Sequence, residues 1–151
     1  MNDEAAMLIE RARNAARYAH APYSRFGVGA AALLSDGTIV TGANFENASY
    51  GLSLCAETVA IASASAAGRL GDVIAIGVAG GALVDGAITG ADIVRPCGRC
   101  RQVINEAAQI GGHDIRVHCG SADGTAVATH LLSALLPDAF GPAALGIGAG
   151  R

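Results

Sequence analysis

Cys55-Ala56-Glu57 and, downstream, Pro96-Cys97-Gly98-Arg99-Cys100 are the stretches on which this chain turns. Each lies at the head of a predicted helix. One runs from Cys55 to Ala67 and stops at Gly68; the other begins at about Cys97 and stops at Gly111-Gly112. Cys97 and Cys100 are three residues apart in a first turn, so their side chains point to one side. Pro96 suits the entry to that helix. Three thiolates can hold one zinc ion in a tetrahedron and leave the fourth position to water. A glutamate two residues after the first cysteine can carry protons to and from that water. Three thiolates and one dication leave a single negative charge in excess, and two helix N-termini directed at one point would help to hold it.

Each piece has a plainer reading. A lone Cys55 is more often a small core residue. Cys97-x-x-Cys100 alone fits a redox pair, although that motif usually follows the first strand of its fold and here comes late. A lone Glu57 would face solvent, yet the run from Ala56 to Ala67 is otherwise apolar. Taken together, ligand-x-Glu followed by Pro-Cys-x-x-Cys is the signature of zinc nucleobase deaminases. Cys119, the fourth cysteine, falls in a predicted strand and reads as a buried thiol. The alternative is a four-cysteine zinc site, which would be closed and unable to activate water.

Outward from the motif, the chain alternates. Leu8, Ile9, Ala12, Ala15, Ala16 and Ala19 share one face of a helix predicted from about Asp3 to His20, capped by Asn2 or Asp3 and ended by Pro22. Asp36-Gly37 between the apolar runs 28–34 and 38–41 marks an antiparallel hairpin. Residues 44–54 are polar and turn-rich, a loop. Val73 to Val78 is a short buried strand. Ala79 to Val94 shows no clear period and has room for a short strand of its own. Ile115 to Cys119 is another strand, a weak one lies near Ala126 to Ala128, and a last helical segment covers about His130 to Leu135. This order predicts an α/β fold: a three-layer α/β/α sandwich around one mixed, mostly five-stranded sheet. We expect a single domain over 1–151, with a loose tail from about Gly146.

The 151 residues are 52% hydrophobic, with 21 glycines and a formal charge of −3. Arginine supplies every cation other than histidine. A mildly acidic chain with no basic run is a poor partner for polyanions, so we expect a small molecule rather than nucleic acid. No stretch is long enough to span a membrane. The acidic start at Asp3-Glu4 argues against a leader peptide, and cytoplasmic location is the expectation. Four cysteines in such a setting point to metal or catalysis before disulfides.

Longer motifs narrow the reading. Tyr23 to Ala31 (YSRFGVGAA), Asn44 to Gly51 (NFENASYG), Cys97 to Gln102 (CGRCRQ) and Leu136 to Pro142 (LPDAFGP) stand around the cysteines. With them the chain resembles the cytidine deaminase family in its small-subunit, usually homotetrameric form, from about Ala21 to Leu145. The resemblance implies one zinc ion per subunit on Cys55, Cys97 and Cys100, with Glu57 as proton shuttle. It implies hydrolytic deamination of cytidine and deoxycytidine, with release of ammonia, in pyrimidine salvage. Asn44 and Glu46 would bind the ribose 3′-hydroxyl, Phe26 would flank the base, and the Ala56 N–H would meet the 2-oxo group. Tyr50 and Phe140 resemble residues that complete a neighbour's site in the tetramer. The zinc motif is also similar to that of blasticidin-S deaminases, but the 44–51 loop favours the cytidine members. A non-catalytic zinc-stabilised interaction domain is the alternative from another class, and Glu57 speaks against it. One departure stands out. Many relatives carry an arginine after the catalytic glutamate, where this chain has Thr58; we expect Arg99, between the two later cysteines, to supply the missing charge.

Overall fold

The structure is a computed structural model and describes residues 2–148. Its centre is one mixed sheet. β1 (Phe26–Leu34) pairs antiparallel with β2 (Ile39–Ala43) through the Asp36-Gly37 turn and, on its other edge, antiparallel with β3 (Val73–Val84). β3 runs parallel to β5 (Arg116–Ser121), which pairs antiparallel with β6 (Val127–Leu131). The order is β2-β1-β3-β5-β6.

β4 (Ala87–Thr89), the short extra strand for which 79–94 had room, pairs with the far end of β3 beside the five-strand path. The segment that showed no period is therefore a hairpin. Asp85 (φ 50°) and Gly86 (φ 78°) both adopt positive φ between the two strands, the geometry of a type I′ turn, which Asp-Gly favours.

α1 (Asp3–Ala16) covers one face of the sheet, packing Leu8, Ile9 and Ala12 on Ala31, Ala75 and Ala79. α2 (Ala56–Ala66) and α3 (Gly98–Gly111) cover the other, where Ala60, Ala64 and Ile104 meet Ala30, Ala32, Ile76 and Val117. With helices on both faces, the strands carry apolar residues on both sides. That explains the near-continuous apolar run of β1.

Helices this close need sheet positions without side chains. A Cβ on Gly42 of β2 would lie 2.5 Å from the Ala56 oxygen and 2.7 Å from the Ala60 nitrogen, so glycine lets the first turn of α2 rest on the strand.

Two helix boundaries differ from expectation. α1 ends at Ala16 rather than near His20, because Tyr18 and Ala19 donate to carbonyls three residues back and tighten the chain out of the helix. His20 then bridges to Phe45. At the other end, His130 and Leu131 pair with Val117 and Arg116 in the β5–β6 register, so the predicted 130–135 helix shrinks to α4 (Leu132–Leu135). Of the expected loose tail, Gly146 to Gly148 are described, with Ile147 donating to the Pro142 carbonyl at 3.0 Å, and 149–151 lie outside the described residues.

α1 is also fastened by polar groups. Glu4 takes Nε and Nη2 of Arg116 at 2.7 and 2.9 Å, and its Oε1 lies 2.8 Å from Nε2 of the fully buried His118. Nδ1 of His118 lies 2.9 Å from Thr129 Oγ1. The Arg116 hydrogen bonds, aided by His118 and opposed by partial burial, lower the Glu4 carboxyl from 4.5 to about 2. A carboxyl depressed in the folded state contributes stability above its ordinary pKa, and that contribution fades as pH falls through the folded value. The melting-temperature gap between the native chain and Glu4→Gln should therefore be full above about pH 5 and shrink as pH falls towards 2. A gap independent of pH would remove Glu4 ionisation from the account.

Candidate active site

The site forms where two helices start. Cys55 is the N-cap of α2 and Cys97 the N-cap of α3, and neither caps through its side chain. Their sulfurs are therefore free to point away from their own helices. Cys55 Sγ and Cys97 Sγ are 3.8 Å apart, and all three sulfurs of Cys55, Cys97 and Cys100 lie within 4.8 Å of one another. A tetrahedral zinc with Zn–S bonds of about 2.3 Å places its sulfurs about 3.8 Å apart. The donor set and its spacing fit one zinc ion. Cys119 is not part of this cluster; it is wholly buried on β5, where burial raises its thiol to about 11. The closed four-cysteine alternative therefore has no fourth thiol at the site.

Glu57, only 4% exposed, follows in the first turn of α2. Burial raises its carboxyl pKa, because a charged carboxylate is disfavoured away from water. In the absence of metal, burial also raises the Cys55 and Cys100 thiols. For Cys97 burial acts the same way, but the Cys100 N–H and the neighbouring thiols outweigh it and lower the pKa.

The cleft above the sulfurs has a volume of about 230 Å³ and is lined by Cys55, Ala56, Glu57, Cys97, Asn44 and Glu46, with Val28 and Arg95 among the remaining walls. The 44–54 loop reaches it because it closes on itself. Phe45 and Leu54 exchange backbone hydrogen bonds at 2.9 and 2.8 Å, and His20 holds the loop entrance through Asn44 and Glu46. Asn44 and Cys55 thus leave the two ends of one closed loop into the same cleft.

Both loop side chains also bind their own chain. Asn44 Oδ1 accepts from the Val28 N–H at 2.8 Å and Nδ2 donates to the Phe26 carbonyl at 2.9 Å. Glu46 Oε1 accepts the Tyr23 and Ser24 N–H groups, each at 3.1 Å, and Oε2 accepts the Ser24 hydroxyl. These bonds, the Ser24 hydroxyl foremost, lower the Glu46 carboxyl and keep it charged. An amide has two N–H and a carboxylate about four lone-pair sites, so each retains capacity for one more partner.

The expected aromatic residues stand further out. Phe26 (41% exposed) opens β1 next to Asn44 but does not line the cleft. Tyr50 (73% exposed) lines an adjoining hollow that shares Glu46 and Ser53 with it. Phe140 (63% exposed) lies beyond α3, its carbonyl held by Gln102 Nε2 at 2.7 Å and Asn105 Nδ2 at 3.2 Å. Arg99 is exposed, with Nη1 3.4 Å from the Ser53 carbonyl. The side-chain contact to a thiolate is made instead by Thr58, whose Oγ1 is 3.3 Å from Cys100 Sγ. Arg95 as a cleft wall and Ser24 as the anchor of Glu46 were not singled out from sequence. Arg95 stands next to Pro96, and Ser24 lies in the 23–31 motif with Phe26, which was the available signal.

Residues 2–112 match the family model described as the cytidine and deoxycytidylate deaminase zinc-binding region. The chain belongs to the cytidine and deoxycytidylate deaminase family. A cytidine deaminase of Halalkalibacterium halodurans is 44% identical over 137 residues, covering 89% of this chain and 92% of that protein. One from Mycobacterium tuberculosis is 44% identical over 135 residues, covering 89% and 88%. The crystal structure of cytidine deaminase from Burkholderia pseudomallei superposes with a TM-score of 0.77 at 43% identity, over 93% of this chain and all of that one. The cytidine deaminase fold is thus the fold of this chain, and zinc is the metal of its three-cysteine cluster.

Removing one thiol leaves too few donors for a tight site. Cys97→Ser should lower bound zinc well below one ion per chain after dialysis against a weak chelator, whereas Cys119→Ser should retain a full complement. Atomic absorption on the two variants decides it; zinc loss from the Cys119 variant would return the four-cysteine site to consideration.

Proposed function

We propose that this chain catalyses the hydrolytic deamination of cytidine and deoxycytidine to uridine and deoxyuridine, releasing ammonia. The observation that carries the reading is the buried carboxyl of Glu57 beside three convergent sulfurs, two of which line the cleft. A structural metal site has no use for such a group.

Zinc held by Cys55, Cys97 and Cys100 supplies Lewis acidity, which lowers the pKa of a water from about 15.7 to about 7. The chain's own residues do the rest. Ala56, in the first turn of α2, lines the cleft, and its N–H has no intrahelical acceptor. It suits the 2-oxo group of the pyrimidine. Glu57 takes a proton from the water and gives it to N3, which makes C4 electrophilic, and the water oxygen adds to C4. Glu57 then moves a second proton from that oxygen to the amine. The C4–N4 bond breaks with its electron pair on nitrogen, ammonia leaves, and the uridine carbonyl remains.

The spare lone pair of Glu46 and the spare N–H of Asn44 suit one sugar hydroxyl, which donates to the first and accepts from the second. Arg99 contributes charge to the zinc cluster from its exposed position, without contact.

The outlying aromatics favour an assembly. Tyr23 and Tyr50 form an exposed pair with ring centroids 5.6 Å apart, and Phe26 and Phe140 are also exposed. Aromatic groups left open at a cleft edge suit burial against another copy of the chain. In this reading the enzyme is a homotetramer whose neighbours complete each pocket through Tyr50 and Phe140, acting in the cytoplasm in pyrimidine salvage.

Glu57→Gln should keep its zinc and lose turnover by roughly 10²–10⁴, the range for a displaced general acid–base group. The loss of cytidine absorbance measures it, and near-native turnover with zinc in place would refute the proton-shuttle role. Light scattering of the native protein should give four times the 15.0 kDa chain mass. A monomer active at every dilution would overturn the shared-site assembly.

A further inference from the structure

We infer that Thr58 is a positioning residue for the metal site: its hydroxyl donates a hydrogen bond to the Cys100 thiolate and draws off part of the cluster's excess negative charge. The inference rests on the zinc reading above.

Its geometry follows from the two helix starts. Thr58 is three residues beyond the Cys55 N-cap of α2, and Cys100 is three residues beyond the Cys97 N-cap of α3. The equivalent positions of the two first turns therefore face each other, and Thr58 Oγ1 comes to 3.3 Å from Cys100 Sγ. Sulfur is a large acceptor, and this distance is a close contact for an O–H donor. Once Cys100 binds metal it carries no proton, so only the threonine hydroxyl can be the donor.

The three thiolates are not placed alike. Cys97 is exposed and receives the Cys100 N–H, and Cys55 is partly open to the cleft. Cys100 is fully buried, with no access to water. A buried anion without a donor is costly, and of the three sulfurs it is this one that Thr58 meets. Arg99, the nearer charged candidate in sequence, has its guanidinium at the Ser53 carbonyl on the exposed side, where solvent damps its field. Thr58 thus does through one short-range bond what a distant charge does weakly. By withdrawing electron density from one sulfur it leaves the metal a stronger Lewis acid, the kind of control that groups around metal ligands exert.

The test uses cobalt(II) in place of zinc in the full-length chain, because sulfur-to-cobalt charge-transfer bands report the electron density on the thiolates. A hydrogen bond stabilises the sulfur lone pair and raises the energy of the transition. Thr58→Val, which removes the hydroxyl at constant shape, should move these bands to longer wavelength with intensity unchanged. Thr58→Ala should move them the same way, which covers the case in which the valine variant does not fold. Thr58→Ser, which keeps the donor, should restore the native position. With zinc, the valine variant should lose about tenfold in kcat with little change in KM. Bands at the same wavelength in all four proteins overturn the inference and leave the zinc site standing. Absence of thiolate bands in the native chain overturns both.

Discussion

Convergence of three negatively charged sulfurs at one point, one of them fully buried, is the constraint around which this molecule is built. Such a cluster repels itself, even with a dication among the sulfurs. The sequence answers by placing two of the cysteines at helix N-caps and the third within a first turn. There the unpaired N–H groups and the positive end of each helix dipole face the charge. Neither Cys55 nor Cys97 caps its helix through sulfur. The helix starts are left slightly less stable so that the sulfurs can serve the metal. The same arrangement delivers Glu57. It follows the N-cap by two residues, and the apolar remainder of α2 carries it into a buried setting that raises its pKa.

The sheet exists, for this purpose, to hold two helix starts in register. α2 can rest its first turn on β2 because Gly42 presents no side chain there. On the opposite face α1 is held by apolar contacts and by the Glu4–Arg116–His118 group, which reaches Thr129 on the last strand. That group ties α1, β5 and β6 together at the end of the sheet away from the hairpin of β1 and β2. A buried histidine bonded through both ring nitrogens has no spare capacity for chemistry on a ligand. It serves the frame, in keeping with a sequence in which no histidine stands near the cysteine motif.

Much of this was legible in the residues. The cysteine spacing, Glu57 in an apolar helix, the Asp36-Gly37 hairpin and the alternation of helix and strand each have a local cause, and local causes show in sequence. β4, the short strand for which 79–94 had room, forms because β3 continues past Val78 to a turn at Asp85-Gly86. The differences from expectation have non-local causes. The helix expected at His130 yields two residues to a strand because β5 offers paired edge positions there. Thr58 registered in sequence only as a missing charge. Its neighbour across space, Cys100, is far away along the chain, so only the meeting of two helix starts shows what its hydroxyl touches.

Asn44 and Glu46 are each held by hydrogen bonds to β1 and the 23–24 turn, so they stand ready in one chain without rearrangement. Preorganised polar groups of this kind lose little freedom when a sugar binds. The aromatic residues are in the opposite condition. Tyr50 and Phe140 lie mostly in solvent, and the cleft as lined by one chain sets the aliphatic walls Val28, Leu54 and Val94 beside its polar and thiol groups but has no ring to stack on a pyrimidine. On the proposed reading the polar contacts to the nucleoside come from a single subunit, and what that subunit lacks is an aromatic face. That division suits the proposed shared site, in which each chain would fix the reacting groups rigidly and the flat faces that enclose the base would come from an interface.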